Sequence, residues 1–215
     1  MSNNLFKWII GIIASIVIIV GIDLVILISH TPNNKDNYSF LINRDNIELI
    51  YDGARADLVQ CIDSTIRVYA PTTCMNGLEI LRQCEKYDVD IFFVLAQGHL
   101  ESHFGTRGMA LRTNSVFNVL AYDDKSYDAI CSNGKYKHPD LSLVPYLKLL
   151  KSRYLIDGKT ETDLMVNYVD VDGHRYASSK EYEVNLTNMY HKYISNEQLI
   201  SCYKQYTKYK ILAGK

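Results

Sequence analysis

The stretch from Ile91 to Leu100 constrains this chain most. It reads Ile-Phe-Phe-Val-Leu-Ala-Gln-Gly-His-Leu. A helix of that composition is apolar on nearly every side, and such a helix is stable only when other elements surround it. It is therefore expected to be the buried central helix of a domain, opened by Asp90 as N-cap, reaching about His103 and stopped by Gly105. The material for a surround is present: hydrophobic residues make up 47% of the 215 and charged ones 22%, which suits a packed core and excludes a disordered chain. The length allows one compact domain plus an appendage.

Flanking segments supply one-sided helices. Ile47, Ile50, Ala54, Leu58, Ile62 and Ile66 recur at helical spacing, which predicts a helix over about 45–68, ended before Pro71. A second helix is expected after Thr72 or Thr73 as cap, with Cys74, Leu78, Leu81 and Cys84 as its inner stripe. From Thr106 to about Tyr136, Gly, Asn, Asp and Ser dominate without a helical stripe, and an irregular or β-containing lobe is expected there. Helical spacing returns at Leu143, Leu147, Leu150 and Tyr154, with Ser142 as cap and Pro145 tolerated in the first turn. Ser178-Ser179-Lys180-Glu181 has capping-box spacing. It predicts a helix burying Leu186, Met189, Tyr190 and Tyr193, followed by a last helix from Asn196 to about Tyr209.

The N-terminus is of another kind. Leu5 to Ser29 is Ile-, Val- and Leu-rich, with Lys7 and Asp23 its only ionisable residues. A spanning helix needs about 20 apolar residues, and no small-x-small cleavage site or lipobox cysteine follows. An uncleaved transmembrane signal anchor is expected over 1–30, a polar linker over 31–44 and the folded domain over 45–215. Lys7 on the short side favours an extracytoplasmic domain. The formal net charge is −1 with no basic run, so nucleic acid is not an expected partner. Cys61, Cys74, Cys84, Cys131 and Cys202 match no zinc or redox spacing. One or two disulfides, or buried free thiols, are both compatible with them.

Glu101 is the candidate for chemistry. A carboxyl at the end of a buried helix is desolvated, and desolvation keeps it protonated near neutral pH. Cleavage of a glycosidic bond needs such a proton donor, because the departing sugar oxygen is a poor leaving group until protonated. Gly105 leaves room for a sugar chain to approach. Gln97 lies one turn before Glu101 on the same face. The 17 tyrosines suit either a half-wet cleft or an ordinary core.

Three ordered blocks extend this reading. Leu95-Ala96-Gln97, Glu101-Ser102 and Phe104-Gly105-Thr106 are followed by Thr113-Asn114-Ser115-Val116-Phe117-Asn118-Val119, and later by Arg175-Tyr176-Ala177-Ser178 with Tyr182. Over roughly residues 60–195 the chain resembles the glucosaminidase family of peptidoglycan hydrolases, whose signature runs L-A-Q-x-x-x-E-S-x-[WF]-G-[TS], then S-N-N-L-F-G-[IV], then Y-A-T/S. The resemblance implies a lysozyme-like α+β fold, mainly helical with a small lobe, cleaving peptidoglycan glycan strands after N-acetylglucosamine. It implies Glu101 as general acid and Tyr176 at the cleft floor. Gln97, Ser102, Phe104, Asn114 and Tyr182 become substrate-binding candidates, and neither metal nor other cofactor is called for.

Ser115 and Asn118 depart from the signature, standing where the family has its second Asn and its Gly. Asn is the residue best able to replace Gly at positive φ, so these changes are expected to bear on lobe geometry more than on the acid. The partner carboxylate is sought among Asp123, Asp124 and Asp128. Three rival readings have their own marks. His99 and His103 bracket Glu101 as in a zinc helix, but Glu101 lies about 200° around the helix from His99, away from their face. A non-catalytic wall-binding protein, and a muramidase or lytic transglycosylase, are compatible with the same blocks.

Overall fold

The structure, a computed structural model, describes residues 44–119 and 136–215. The apolar run 5–29, most of the linker, and Asp123, Asp124 and Asp128 lie outside the described residues. Among those described no helix is long and apolar enough to cross a membrane.

The described residues are mostly helical: α1 (Arg44–Tyr69), α2 (Gly77–Tyr87), α3 (Ile91–Ser102), α4 (Ala110–Thr113), α5 (Leu143–Leu149), α6 (Glu161–Val166), α7 (Tyr182–Ile194) and α8 (Glu197–Leu212). A 3-10 turn, Pro139–Ser142, leads into α5, and a π-helical stretch, Leu150–Tyr154, follows it. The one strand pairing among the described residues is the isolated antiparallel bridge of Val169 with Arg175. Residues 44–53 and 208–215 belong to a small unit of their own, in which Lys215 pairs with Glu48 at 3.5 Å. The rest, from Ala54 to Thr207, form the unit that carries the site.

Within that unit α3 is central. Ile91 to His99 is buried without a break, and α7 and α2 pack against it. Asp90 caps α3 by accepting from the Phe92 N–H at 2.8 Å. Its other oxygen accepts from the Tyr190 hydroxyl of α7 at 2.7 Å. Ala54, Leu58, Ile62 and Ile66 form the buried stripe of α1, while Ile50 is exposed. The disulfide Cys61–Cys202 joins α1 to α8, and Cys74 and Cys84 are free.

Several local expectations are corrected. The cap of α2 is Asn76, not Thr72 or Thr73, and the buried stripe is Gly77, Ile80, Leu81 and Cys84, with Leu78 and Cys74 exposed. The shift follows from Gly77, whose absent side chain lets the Val59 carbonyl approach; a Cβ there would lie 2.8 Å from that oxygen. Ser142 holds the N-cap position of α5 as expected but makes no side-chain cap bond: its hydroxyl donates to the Pro139 carbonyl and accepts from the Val116 N–H. The Ser178–Glu181 capping box does not form. Glu181 is itself the N-cap of α7, and its N–H goes to the Ser179 hydroxyl. A true box opens α6 instead, between Thr160 and Asp163. Met189 and Tyr190 are only partly buried, whereas Tyr182 joins Leu186 and Tyr193 inside.

The end of α3 falls within a residue of the expected His103, which is its C-cap. His103 already leaves the helix, and His103, Phe104 and Gly105 all have positive φ, at 48°, 54° and 83°. For the two non-glycine residues this costs about 1–2 kcal/mol each. Three bonds offset it: the Ser102 hydroxyl donates to the Val116 carbonyl and accepts from the Gly105 N–H, both at 2.8 Å, and the Thr73 hydroxyl donates to the Phe104 carbonyl at 2.7 Å. This clamped turn brings residues 116–118 back against the last turn of α3.

Candidate active site

Glu101 occupies that last turn, at the edge of a cleft of about 840 Å³ also bordered by Met109, Asn118, Arg153, Tyr154, Asp170, Arg175 and Tyr176. Both of its carboxyl oxygens are held. Oε1 accepts from the Tyr182 hydroxyl, and Oε2 accepts from Asn118 Nδ2 at 2.9 Å. Burial pushes the carboxyl above its ordinary range, and the bonds from Tyr182 and Asn118 pull partly back. A carboxyl so placed can serve as a proton donor toward the cleft.

Behind Glu101 the polar groups form a directed chain. Gln97 is fully buried, and its Oε1 accepts from the hydroxyls of Tyr146 at 2.5 Å and Tyr168 at 2.9 Å. A carbonyl oxygen can only accept and an amide NH₂ can only donate. Oε1 facing two buried hydroxyls therefore turns Nε2 toward the Tyr182 hydroxyl, 3.1 Å away. Tyr182 receives that hydrogen bond and gives its own proton to Glu101. Burial raises the pKa of Tyr146, Tyr168, Tyr176 and Tyr182 well above the ordinary phenol value, so all four are neutral hydrogen-bonding groups at working pH.

Tyr176 stacks on Tyr168 with ring centroids 4.6 Å apart, and its hydroxyl donates to the Phe117 carbonyl at 2.7 Å. It thus borders the cleft and ties down the residue before Asn118. Phe117 stacks in turn on Tyr146 at 3.9 Å. Gly98 makes this approach possible, since a Cβ there would meet the Phe117 ring at 3.3 Å and the Phe104 ring at 3.4 Å.

The remaining sequence candidates sit elsewhere. Ser102 and Phe104 are each 2% exposed. The Ser102 hydroxyl is spent on the turn and the Phe104 ring packs on His99 and Tyr193, so neither faces the cleft. Asn114, at φ 55°, gives its amide to the Tyr136 carbonyl and braces the lobe. Tyr182 is 8% exposed and stands behind the acid. His99 Nδ1 is bonded to the Tyr193 hydroxyl at 2.8 Å, and burial and nearby His103 lower its pKa to about 4. His103 is off the helix, so the two histidines do not present the paired face of a zinc helix.

Among the described residues, Asp170, Asp172 and His174 do have metal-ligand spacing, their donor atoms lying within 4.8 Å. Both of those carboxylates are paired with Arg153. Burial alone would raise the Asp170 pKa, but the bonds from Arg153 and from the His174 and Asp172 N–H groups prevail and lower it to about 2. The group is an ion-paired turn that shapes the cleft wall.

Sequence reasoning missed three members of the site. Tyr146 and Tyr168 carry no local signal among so many tyrosines. Asn118 had one: it stands at φ 49°, as its place in the motif required, yet its amide touches the acid itself rather than the lobe alone.

A buried, raised carboxyl at a helix end, open to a cleft and backed by neutral tyrosines, is a site suited to acid–base chemistry. The comparison with protein families agrees: the glucosaminidase model, described as mannosyl-glycoprotein endo-beta-N-acetylglucosaminidase, matches residues 79–195, more than half of the chain. The protein belongs to the glucosaminidase family. No curated protein and no solved structure gives a significant match.

Proposed function

We propose that the protein hydrolyses the glycan strands of peptidoglycan after N-acetylglucosamine, with Glu101 as general acid, on a lysozyme-like fold. The carrying observation is the Glu101 carboxyl, raised by burial, held at both oxygens and bordering the cleft. In the protonated state it gives its proton to the departing sugar oxygen as the glycosidic bond breaks. Tyr176 forms the cleft floor and, through the Phe117 carbonyl, holds the Asn118 backbone in place. The second carboxylate is proposed to be Asp124 or Asp123, six and five residues after Asn118. The apolar run 5–29 would keep the domain at the membrane on the cell-wall side. The Cys61–Cys202 disulfide supports that side, since disulfides persist in oxidising compartments.

The test is digestion of purified cell wall by the full chain, with mass spectrometry of the products. New reducing-end N-acetylglucosamine, and a loss of about 10²–10⁴-fold in Glu101→Gln, are expected. Equal release by wild type and variant would remove Glu101 from the mechanism. Anhydro-muramyl ends would make the enzyme a transglycosylase, muramic acid reducing ends a muramidase, and no release by wild type a binding protein.

A further inference from the structure

Asn118 donates from one nitrogen to two acceptors of the same residue: Glu101 Oε2 at 2.9 Å and the Glu101 backbone carbonyl at 3.3 Å. The carbonyl oxygen accepts only, so it pins the nitrogen end of the amide where it is. Oε2 therefore meets a fixed donor whether or not Glu101 is ionised. On the other side, the chain from Tyr146 and Tyr168 through Gln97 obliges Tyr182 to donate to Oε1. Tyr182 is buried, whereas Asn118 borders the cleft. Oε1 thus faces the protein interior and Oε2 the cleft.

We propose that Asn118, standing where the family signature has Gly, is a positioning residue that makes Oε2 the proton-delivering oxygen of Glu101 and adjusts the pH at which it delivers. The inference rests on the reading of Glu101 as general acid. Glycine offers the same backbone conformation without the amide, so the residue adds a hydrogen bond to the charged form that a Gly-bearing site lacks. Such a bond favours the carboxylate. This chain should accordingly release its proton at lower pH than the same site with Gly. Among the described residues the other groups that bear on Glu101 are the tyrosines 146, 168 and 176, neutral throughout. The nearby charges on the cleft wall, Arg153, Asp170 and Arg175, are closed in ion pairs, the last with Glu183. His174 on the same wall is half-paired with Asp170 at 3.6 Å.

The experiment compares the full chain in detergent with Asn118→Gly, which keeps the positive-φ backbone, and Asn118→Asp, which keeps the shape. Two quantities are read: the pH profile of kcat/KM on cell wall, and the protonation midpoint of Glu101 from infrared carboxyl bands, identified by subtracting the Glu101→Gln spectrum. Asn118→Gly should raise both the midpoint and the alkaline limb of the profile by about one pH unit, and Asn118→Asp should raise them further. A lowered kcat with midpoint and limb unchanged would make Asn118 merely structural and overturn the proposal. If Glu101→Gln digests wall as well as wild type, the general-acid reading fails on its own. The infrared midpoint, which needs no activity, then still reports whether Asn118 holds the carboxylate, and an unmoved midpoint overturns that too.

Discussion

Replacing Gln97 by Leu removes one acceptor from two buried donors. The hydroxyls of Tyr146 and Tyr168 both donate to Gln97 Oε1, and both side chains are fully buried. A buried donor left without a partner costs about 1–3 kcal/mol, so the pair is worth about 4 kcal/mol. With a urea m-value of about 2 kcal/mol/M, the unfolding midpoint of the full chain should fall by about 2 M. Circular dichroism in a mild detergent measures it. Tyr146→Phe alone should cost far less, about 1 kcal/mol, because Oε1 keeps the Tyr168 hydroxyl. Adding Tyr146→Phe and Tyr168→Phe to Gln97→Leu should restore most of the loss, since removing both ends of a buried hydrogen bond is nearly neutral. A Gln97→Leu midpoint within about 0.3 M of wild type, against the cost expected for orphaned donors, would refute the directed chain. So would a triple variant less stable than the single one.

Two further outcomes follow from the same structure. The folded pKa of Glu101 is raised above its ordinary value of 4.5, so the folded chain holds this proton more tightly than the unfolded chain does. The stability that this one group contributes is fully present below 4.5 and is lost as pH rises through the folded pKa; the thermal midpoint of Glu101→Gln should gain on that of wild type across that range, and a constant difference would contradict the raised pKa. The disulfide Cys61–Cys202 closes a span of 141 residues; Cys202→Ser should cost about 2–5 kcal/mol by calorimetry. Peptide mapping without reductant should link residues 61 and 202, and a link from either to another cysteine would contradict the Cys61–Cys202 pairing.

Sequence alone determined the parts whose signal is local. The run Ile91–Leu100 is apolar on all faces, and a helix so built has only the centre of a domain to occupy, which is where α3 lies. The stripes from Ala54 to Ile66 and from Leu143 to Tyr154 are likewise readable, because helical periodicity is a property of consecutive residues. Glu101 is readable chiefly through the ordered motif blocks around it, its place at the end of that apolar run being by itself a weak sign. Residues whose roles depend on partners far along the chain were not readable. Ser102 and Phe104 sit beside the acid in sequence, but Ser102, the last residue of α3, and Phe104, in the left-handed turn that follows, are both buried. Tyr182, a substrate-binding candidate by its motif, is the last link behind the acid, 81 residues away along the chain. Gln97 could be placed on the face of Glu101, but the direction of its amide was settled by Tyr146 and Tyr168, 49 and 71 residues on. Hydrogen-bond direction is a property of the closed network, and only the tertiary structure closes it.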